Sequence, residues 1–389
     1  MTEGGNQPAV AGSKRTPFKC VALVLQGGGA LGSFQAGVYQ ALSEANIHPD
    51  WVAGISIGAI NSAIIAGNAP EHRVAKLRAF WEAVSEAPLG PFGVPYNPNV
   101  KHISDEVHRA INQFRASAIA AFGAPGFFRP RVPSPLVWPA KSPAHLSHYD
   151  VSPLRKTLEA LVDFDRINSG EMRFSVGAVN IRSGNFRYFD TSCDRIDFRH
   201  IIASGSLPPG FPATEIDGEF YWDGGVVSNT PLQWVLDSHP RQDTLAFQVD
   251  LWSASGALPR DLAEAETRLK DIQYSSRTRE ATHQVINAQR MRRLFREAYK
   301  HLPEEARALP EIQQLAKEAD ESVYNIVHLI YHAQLYEGVV KDFEFSRRTM
   351  EEHWICGYEA GQKALTHPEV LQKPHNREGF RVFDFSRAP

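Results

Sequence analysis

The sequence predicts an α/β fold in which a mainly parallel central sheet is flanked by helices. A short apolar strand at 20–25 is followed by a glycine loop and a helical segment. A second strand at 51–55 is followed by a glycine–serine turn and another helix. A further strand at 324–331 comes late in the chain, after a long helical stretch. We therefore expect the C-terminal part to add to the same sheet.

The first half of the chain alternates strands with helices. The run at 20–25, CVALVL, is apolar and β-branched, which is typical of a buried strand. Segment 33–45 has apolar residues at helical spacing, namely Phe34, Val38, Ala41 and Leu42. Small and apolar residues at 59–66 predict a buried helix, and 71–87 predicts an amphipathic one. Strand followed by helix, twice in succession, favours parallel strand pairing.

Segment 88–153 is rich in Pro, Gly, Phe and Trp and has one predicted helix at about 103–121. A loop-rich insertion of this length in a compact domain often forms a lid or the wall of a binding pocket, although a plain surface excursion stays open. Beyond it, strands are predicted at 174–179, 185–189, 220–222 and 245–249. The C-terminal part predicts a long helix at about 260–301, a short one at 311–319 and a final one at 345–365.

Composition excludes several classes of function. The 389 residues carry 41 Lys and Arg against 44 Asp and Glu, so no basic surface for nucleic acid is expected. Cys20, Cys193 and Cys356 are widely spaced, which predicts no metal site and fits a reducing compartment. No apolar run approaches the length of about 18 residues that a membrane span needs. We expect a cytoplasmic protein, with peripheral contact to a membrane left open.

The segment Gly54-Ile55-Ser56-Ile57-Gly58 fits the G-x-S-x-G pattern of a nucleophile elbow. In that turn the serine lies between a strand and a helix, and glycines two positions away let the two backbones pass closely. The apolar strand before it and the small-residue helix after it supply the required setting. A tight turn with an incidental serine is the alternative.

The glycine run Gly27-Gly28-Gly29-Ala30-Leu31-Gly32 allows two functional interpretations. It contains G-x-G-x-x-G, the dinucleotide fingerprint, but that motif needs an acidic residue at the end of the next strand. Asp50 precedes that strand, and Ser56 occupies its end. The other interpretation is an oxyanion hole, in which backbone N–H groups bind the negative charge that develops in acyl transfer.

A nucleophilic serine needs a base, and the residues alone leave two options. Asp223-Gly224-Gly225 follows an aromatic strand, so its carboxylate would project from a tight loop, although Asp-Gly is also a common turn pair. The histidines that follow Asp223 are His239, His283, His328, His332 and His353. None of them lies in a glycine-bounded loop after a strand.

Together, GGGALG, GISIG and DGG, with the block ASGSLPPGFP at 203–212, resemble the patatin-like phospholipases over about residues 20–250. The C-terminal portion resembles a bacterial subgroup whose extra C-terminal domain has no assigned function. The resemblance implies a three-layer fold and a Ser–Asp dyad without histidine, in which Ser56 is the nucleophile and Asp223 the base. It also implies an oxyanion hole formed by the N–H groups of Gly28, Gly29 and Ala30. Gly27, Gly32, Gly54, Gly58, Gly224 and Gly225 would support these motifs.

The resemblance also divides the chain and suggests a reaction. Residues 1–17 are rich in Gly, Pro, Ser, Thr and charged residues without periodicity, which predicts a flexible leader. We expect a catalytic domain at 18–255 and a mostly helical C-terminal region at 256–389. The implied reaction is hydrolysis of lipid-like acyl esters, of phospholipase A or lysophospholipase type, without metal or cofactor. Many family members carry Arg or Lys where this chain has Leu31, which leaves room for neutral esters.

Three alternatives stay open at this point. The first is a hydrolase or transferase of other acyl groups, such as short hydroxyacyl esters or thioesters. The second is a non-catalytic protein that binds lipid or a partner, and the third is a nucleotide-binding oxidoreductase. The sequence predicts neither the acyl chain length nor the oligomeric state.

Overall fold

The computed structural model describes residues 16–86, 104–133, 142–275, 278–334 and 336–385. Residues 1–15 of the predicted leader therefore lie outside the described residues. The same holds for 88–103 and 134–141 of the predicted insertion. Within the described ranges, no helix is long and apolar enough to cross a membrane.

The strands are β1 (Cys20–Leu25), β2 (Trp51–Gly54), β3 (Arg129–Pro130), β4 (Tyr149–Asp150), β5 (Arg173–Asn180), β6 (Phe186–Asp190), β7 (Thr214–Ile216), β8 (Glu219–Asp223), β9 (Thr244–Asp250), β10 (Tyr324–Ile330) and β11 (Phe380–Asp384). The helices are α1 (Ser33–Glu44), α2 (Ile57–Ala66), α3 (Pro70–Val84), α4 (Asp105–Phe122), α5 (Ser152–Leu161), α6 (Phe164–Ile167), α7 (Phe198–Ser204), α8 (Leu232–Asp237), α9 (Leu262–Tyr274), α10 (Thr278–His301), α11 (Glu304–Arg307), α12 (Pro310–Glu318) and α13 (Arg347–Leu365).

The main sheet confirms the predicted fold class. Among the described residues its order is β11-β10-β9-β1-β2-β5-β8-β7, and β6 also pairs with β5. The strands from β11 to β5 run parallel to their neighbours, whereas β6, β7 and β8 pair antiparallel. The late strand β10 lies beside β9 in a parallel register from Tyr324 opposite Thr244 to Ile330 opposite Asp250. The C-terminal part thus extends the same sheet.

Both faces of the sheet are covered by helices. Alternate residues of β1 enter two different apolar clusters, because successive side chains of a strand point to opposite faces. Val21, Leu23 and Leu25 join a large cluster that includes side chains of α1, α2 and α13. Cys20, Ala22 and Val24 join a smaller cluster with side chains of α8 and α10. The result is a layer of helices on each side of the sheet.

Helices α1 and α13 pack with their backbones in close contact. A Cβ atom at Gly37 would collide with the carbonyl oxygen of Trp354, and one at Gly357 would collide with that of Phe34. Glycine at both positions therefore lets the two helices approach closely. This packing brings α13, from the C-terminal region, next to the helix that follows the glycine loop.

The prediction of one helix over 260–301 is wrong. The structure has α9 and α10 instead, because α9 ends at Tyr274 and Ser275 takes an extended conformation. The Ser275 hydroxyl donates to the Ile272 carbonyl at 2.9 Å, which caps the end of α9. The strands β7 and β11 were not predicted.

Candidate active site

Ser56 lies at the turn between β2 and α2 and has a strained backbone. Its φ is +55° and its ψ is −122°, a region that residues other than glycine rarely adopt. A Cβ atom at Gly54 would collide with the backbone of Gly58, and one at Gly58 would collide with the Leu25 carbonyl. Only glycine fits at these two positions, so the turn has the strand-to-helix geometry of a nucleophile elbow.

Ser204, at the end of α7, holds this turn from the opposite side. The Ser56 N–H donates to the Ser204 hydroxyl oxygen at 2.9 Å. The same hydroxyl donates to the Gly177 carbonyl on β5 at 2.7 Å. Ser204 is fully buried, so it connects the turn rigidly to the neighbouring strand. Sequence reasoning gave it no role of its own, although it belongs to the block at 203–212.

Asp223, the last residue of β8, presents a buried carboxylate to the Ser56 hydroxyl. Burial raises the pKa of Asp223 to about 7, while hydrogen bonds from Ser56 and from the Gly225 N–H act to lower it. The Gly225 N–H donates to Oδ1 of Asp223 at 2.7 Å. A Cβ atom at Gly224 would lie 2.7 Å from the Gly177 carbonyl oxygen, so this position also requires glycine. A carboxylate with a pKa near 7 is suited to act as a general base.

The candidate histidines lie elsewhere. His239, His283 and His332 are exposed, and within the described residues none of the five candidates lines the cavity that Ser56 and Asp223 share. His353 is buried and faces Glu337, with 3.2 Å between Nε2 and a carboxylate oxygen. Of the two options for a base, the geometry thus brings only Asp223 next to Ser56.

The glycine loop lies on the same side of the cavity as Ser56. Gly27, Gly28 and Gly29 line the cavity, and in the part of the chain that the structure describes, neither the Gly28 N–H nor the Gly29 N–H donates to a protein acceptor. The Ala30 N–H, in contrast, donates to the Asp342 carbonyl oxygen at 2.8 Å. The expectation for Ala30 therefore needs correction, because its N–H is already occupied in this conformation.

Asn229 and Trp252 fix the other end of the glycine loop. The Asn229 side-chain amide donates to the Gly27 carbonyl at 3.0 Å, and the Trp252 indole N–H donates to the same oxygen at 2.8 Å. The Gly27 N–H donates to the Asn229 carbonyl at 3.3 Å. Sequence reasoning missed both residues, because neither lies in a recognisable local pattern.

The acidic residue considered for a dinucleotide site has a structural role instead. Asp50 accepts a hydrogen bond from the Val21 N–H at 2.8 Å, at the start of β2 and so at the opposite end of that strand from Ser56. Gly32, the last glycine of the run, packs against Ile57 and Trp81. Across the described ranges, the His, Cys, Asp and Glu side chains form no group of three that could hold a metal ion.

The cavity has a volume of about 480 Å³ and is largely apolar. Its apolar lining includes Ile57, Ile60, Ile119, Phe127, Phe128, Leu207, Phe211, Phe343 and Phe345. The ring centroids of Phe127 and Phe345 are 5.5 Å apart, and those of Phe128 and Phe211 are 5.3 Å apart. Since Phe127 and Phe128 belong to the aromatic-rich insertion, the described part of that insertion contributes to the pocket wall.

Comparisons with known proteins give two family matches. A sequence model described as patatin-like phospholipase matches residues 23–236. A second, described as patatin phospholipase, matches residues 272–377. Together they cover both the site motifs and most of the C-terminal region.

Individual relatives match over shorter stretches. The lysophospholipase nte1 of Aspergillus terreus is 46% identical over 70 residues, which is 15% of this chain and 5% of the fungal protein. An uncharacterized NTE family protein of Mycobacterium bovis is 32% identical over 117 residues, 30% of this chain and 19% of that protein. The chain thus spans a small part of the length of these curated relatives.

Two solved structures are similar at low sequence identity. VipD from Legionella pneumophila aligns with a TM-score of 0.42 at 15% identity, over 95% of this chain and 72% of that chain. The ExoU–SpcU complex from Pseudomonas aeruginosa aligns with a TM-score of 0.27 at 18% identity, over 77% of this chain and 59% of that chain.

Proposed function

Since the chain belongs to the patatin-like phospholipase family, we propose that it is a serine hydrolase that cleaves acyl esters of lipids through an acyl-Ser56 intermediate. One observation carries the proposal. The strained Ser56 turn and the buried Asp223 carboxylate meet at the wall of one largely apolar cavity. We also propose the domain division inferred from the sequence, with catalysis in 18–255 and a C-terminal region at 256–389.

The proposed reaction proceeds in two halves. Asp223 takes the proton of the Ser56 hydroxyl while Oγ forms a bond to the ester carbonyl carbon. The N–H groups of Gly28 and Gly29 stabilise the negative charge on the carbonyl oxygen. Asp223 then gives its proton to the leaving alcohol oxygen as the ester bond breaks. In the second half, Asp223 takes a proton from water as the water oxygen bonds to the acyl carbon, and it then gives this proton to Ser56 Oγ as the C–Oγ bond breaks and the fatty acid is released.

The lining of the cavity favours a neutral or zwitterionic ester with an apolar acyl chain. Among the described lining residues, the only charged side chains are those of Asp223 and Asp342, and both are acidic. An anionic head group would therefore meet no cation in the described wall. Leu31, where many family members carry a cation, is fully buried in the core. We infer that a charged head group stays outside the cavity while the acyl chain lies inside.

Hydrolysis of p-nitrophenyl esters from acetyl to palmitoyl tests this proposal. We expect the wild type to prefer medium or long acyl chains, because the cavity is apolar. Ser56→Ala should abolish hydrolysis. Ser62→Ala is the matched control, since Ser62 also lies on this turn-and-helix unit but is buried in α2 and does not line the cavity.

Other outcomes would point to the alternatives. Equal rates for the wild type and Ser56→Ala would overturn the nucleophile and favour a binding protein. A preference for acetyl or butyryl esters that is lost in Ser56→Ala would keep the nucleophile but favour short acyl substrates. A loss of activity in Ser62→Ala equal to that in Ser56→Ala would show that the effect is on folding.

A further inference from the structure

We propose that segment 336–346 of the C-terminal region, here named the clamp segment, holds the glycine loop in the conformation that presents the Gly28 and Gly29 N–H groups to the cavity. Lys270 and Asp342 are then positioning residues for the oxyanion hole. This inference rests on the proposed function. It assigns a role in the same site to a region that follows the match over residues 23–236.

Both peptide groups of Ala30 contact the C-terminal region. Its N–H donates to the Asp342 carbonyl oxygen at 2.8 Å. Its carbonyl oxygen lies 3.4 Å from Nδ1 of His353, a residue 323 positions away in the chain. These two contacts hold the peptide planes on either side of the Ala30 Cα atom, and the plane that carries the Ala30 N–H is shared with Gly29, so its orientation constrains that glycine. The loop is thus held from outside the segment that contains its motif.

Gly29 leaves the clamp segment room to approach. Its φ is +55°, and a Cβ atom there would collide with the Asp342 carbonyl oxygen. The carbonyl of Asp342 therefore occupies the space that any other residue at position 29 would fill. This close contact restricts the conformations that the Gly28 and Gly29 N–H groups can adopt.

Two ion pairs with α9 fix the clamp segment itself. Lys270 lies 2.6 Å from a carboxylate oxygen of Asp342, and Lys341 lies 2.5 Å from one of Asp271. Two consecutive residues of α9, a lysine and then an aspartate, thus pair with two consecutive residues of the clamp segment, and each side contributes one cation and one anion. The Lys341 side chain is only 3% exposed, so its pair is shielded from solvent and salt. Such reciprocal pairing specifies one register between the helix and the segment.

A cluster of buried polar side chains around Glu337 fixes the start of the clamp segment. Glu337 accepts hydrogen bonds from the Tyr331 hydroxyl and from the Gln334 N–H, the latter at 2.9 Å. It also faces His353, with both side chains at most 3% exposed. Since the same His353 faces the Ala30 carbonyl, this group joins the clamp segment, α13 and the glycine loop. Separating Glu337 from His353 would leave a buried charge without a partner, which costs free energy. We therefore expect these side chains to stay in contact.

Loosening the clamp should lower kcat more than it changes KM. The oxyanion donors act on charge that is fully developed only in the transition state, whereas substrate binding depends on the apolar cavity. Lys270→Met removes one ion pair without altering a residue that lines the cavity. We expect kcat to fall about tenfold with KM changed by less than about twofold, and Lys270→Arg to restore kcat.

Hydrogen–deuterium exchange of the peptide that spans 27–32 gives a readout independent of activity. In the full chain, we expect Lys270→Met to speed exchange in this peptide, and Arg260→Met to leave it unchanged. Arg260 is the matched control because it makes an exposed ion pair with Glu264 at the start of α9. If Lys270→Met does not fold, Asp342→Asn weakens the same pair at constant size, and loop exchange is then the deciding readout because Asp342 itself lines the cavity.

The outcomes separate the two proposals. Exchange that is the same in Lys270→Met and Arg260→Met would overturn the clamp, as would a kcat loss that is equal in the two variants. A wild type without esterase activity would overturn the proposed function instead, and faster loop exchange in Lys270→Met would then still support the clamp.

Discussion

The two sides of the candidate site are held by different parts of the chain. On the nucleophile side, Gly54, Gly58 and Leu25 set the backbone of Ser56, and all lie within the first sixty residues. On the oxyanion side, the partners of Ala30 are Asp342 and His353 from the C-terminal region. The difference teaches that the Ser56 turn is shaped mainly by residues close to it in the sequence, with Ser204 as one long-range support, whereas the glycine loop also depends on contacts with the C-terminal region.

The largest expected effect is on the nucleophile side, at the base. Asp223→Asn keeps the shape of the side chain but removes the proton acceptor, so we expect kcat to fall about 10³-fold. The variant should also melt at a higher temperature than the wild type at pH 8. The reason is that burial raises the pKa of Asp223 from 3.8 to about 7, so the free energy of unfolding falls between these two pH values and the full cost of the buried charge is present at pH 8.

The measurement is kcat together with thermal melting at pH 8. Asp217→Asn is the control, because Asp217 lies in an exposed turn with a φ of +52° that asparagine also tolerates. It should change neither quantity. An Asp223→Asn variant with wild-type kcat would show that another group takes the proton.

The second effect tests the oxyanion side. Gly29→Ala places a methyl group against the Asp342 carbonyl, so the loop must shift and kcat should fall about 10²-fold. Gly184→Ala separates collision from backbone strain, since Gly184 also has a positive φ of +71° but has no atom within 4 Å of an added Cβ. We expect Gly184→Ala to lose some stability and no activity. Equal activity in both variants would contradict the tight loop contact.

The pH dependence of kcat/KM is the third test and reports on the nucleophile side. Asp223 must be ionised to accept the Ser56 proton, so kcat/KM should rise about tenfold per pH unit at acid pH and level off above about pH 7. Stability changes with pH in the opposite direction. Because the folded state holds the Asp223 proton up to a higher pH than the unfolded state does, the free energy of unfolding falls as the pH rises, while kcat/KM increases. Rates from pH 5 to 9 on an uncharged ester measure the profile. A flat profile would exclude Asp223 as the base.

The smallest expected effect concerns the wall that both sides share. Phe345 lines the cavity and lies 5.5 Å from the Phe127 ring, so Phe345→Leu should widen the acyl-binding space slightly. We expect a few-fold change in the ratio of kcat/KM for long and medium esters, with the same nucleophile and base. An unchanged ratio would place the acyl chain away from this wall.

Strands that are short, largely apolar runs were predictable from the sequence. β1, β2, β5, β9 and β10 all fall close to their expected positions. β11 was missed because Phe380–Asp384 has neither a continuous apolar run nor a regular alternation of apolar and polar residues, and it lies at the edge of the sheet. The break between α9 and α10 was missed because residues on both sides favour a helix. Among the described residues of this stretch, the extended backbone of Ser275 marks the end of α9.

The residues of the candidate site also differ in how far a local sequence pattern reveals them. Ser56 and Asp223 became candidates because glycines at fixed spacing mark the tight turns that contain them, and the family resemblance then implied their roles as nucleophile and base. Ser204, Asn229 and Asp342 act through hydrogen bonds to residues far away in the chain, and no local pattern distinguishes them. The family resemblance implies an oxyanion role for the Ala30 N–H, but no local pattern in the sequence shows that this N–H donates to Asp342 in the C-terminal region.

The most direct test of the central claim is to identify the residue that a fluorophosphonate probe modifies, by mass spectrometry of the digested protein. We predict that the probe is found on Ser56, that Ser56→Ala is not labelled and that Ser62→Ala is labelled like the wild type. A probe on another residue, or equal labelling of Ser56→Ala and the wild type, would contradict the assignment of Ser56 as the nucleophile.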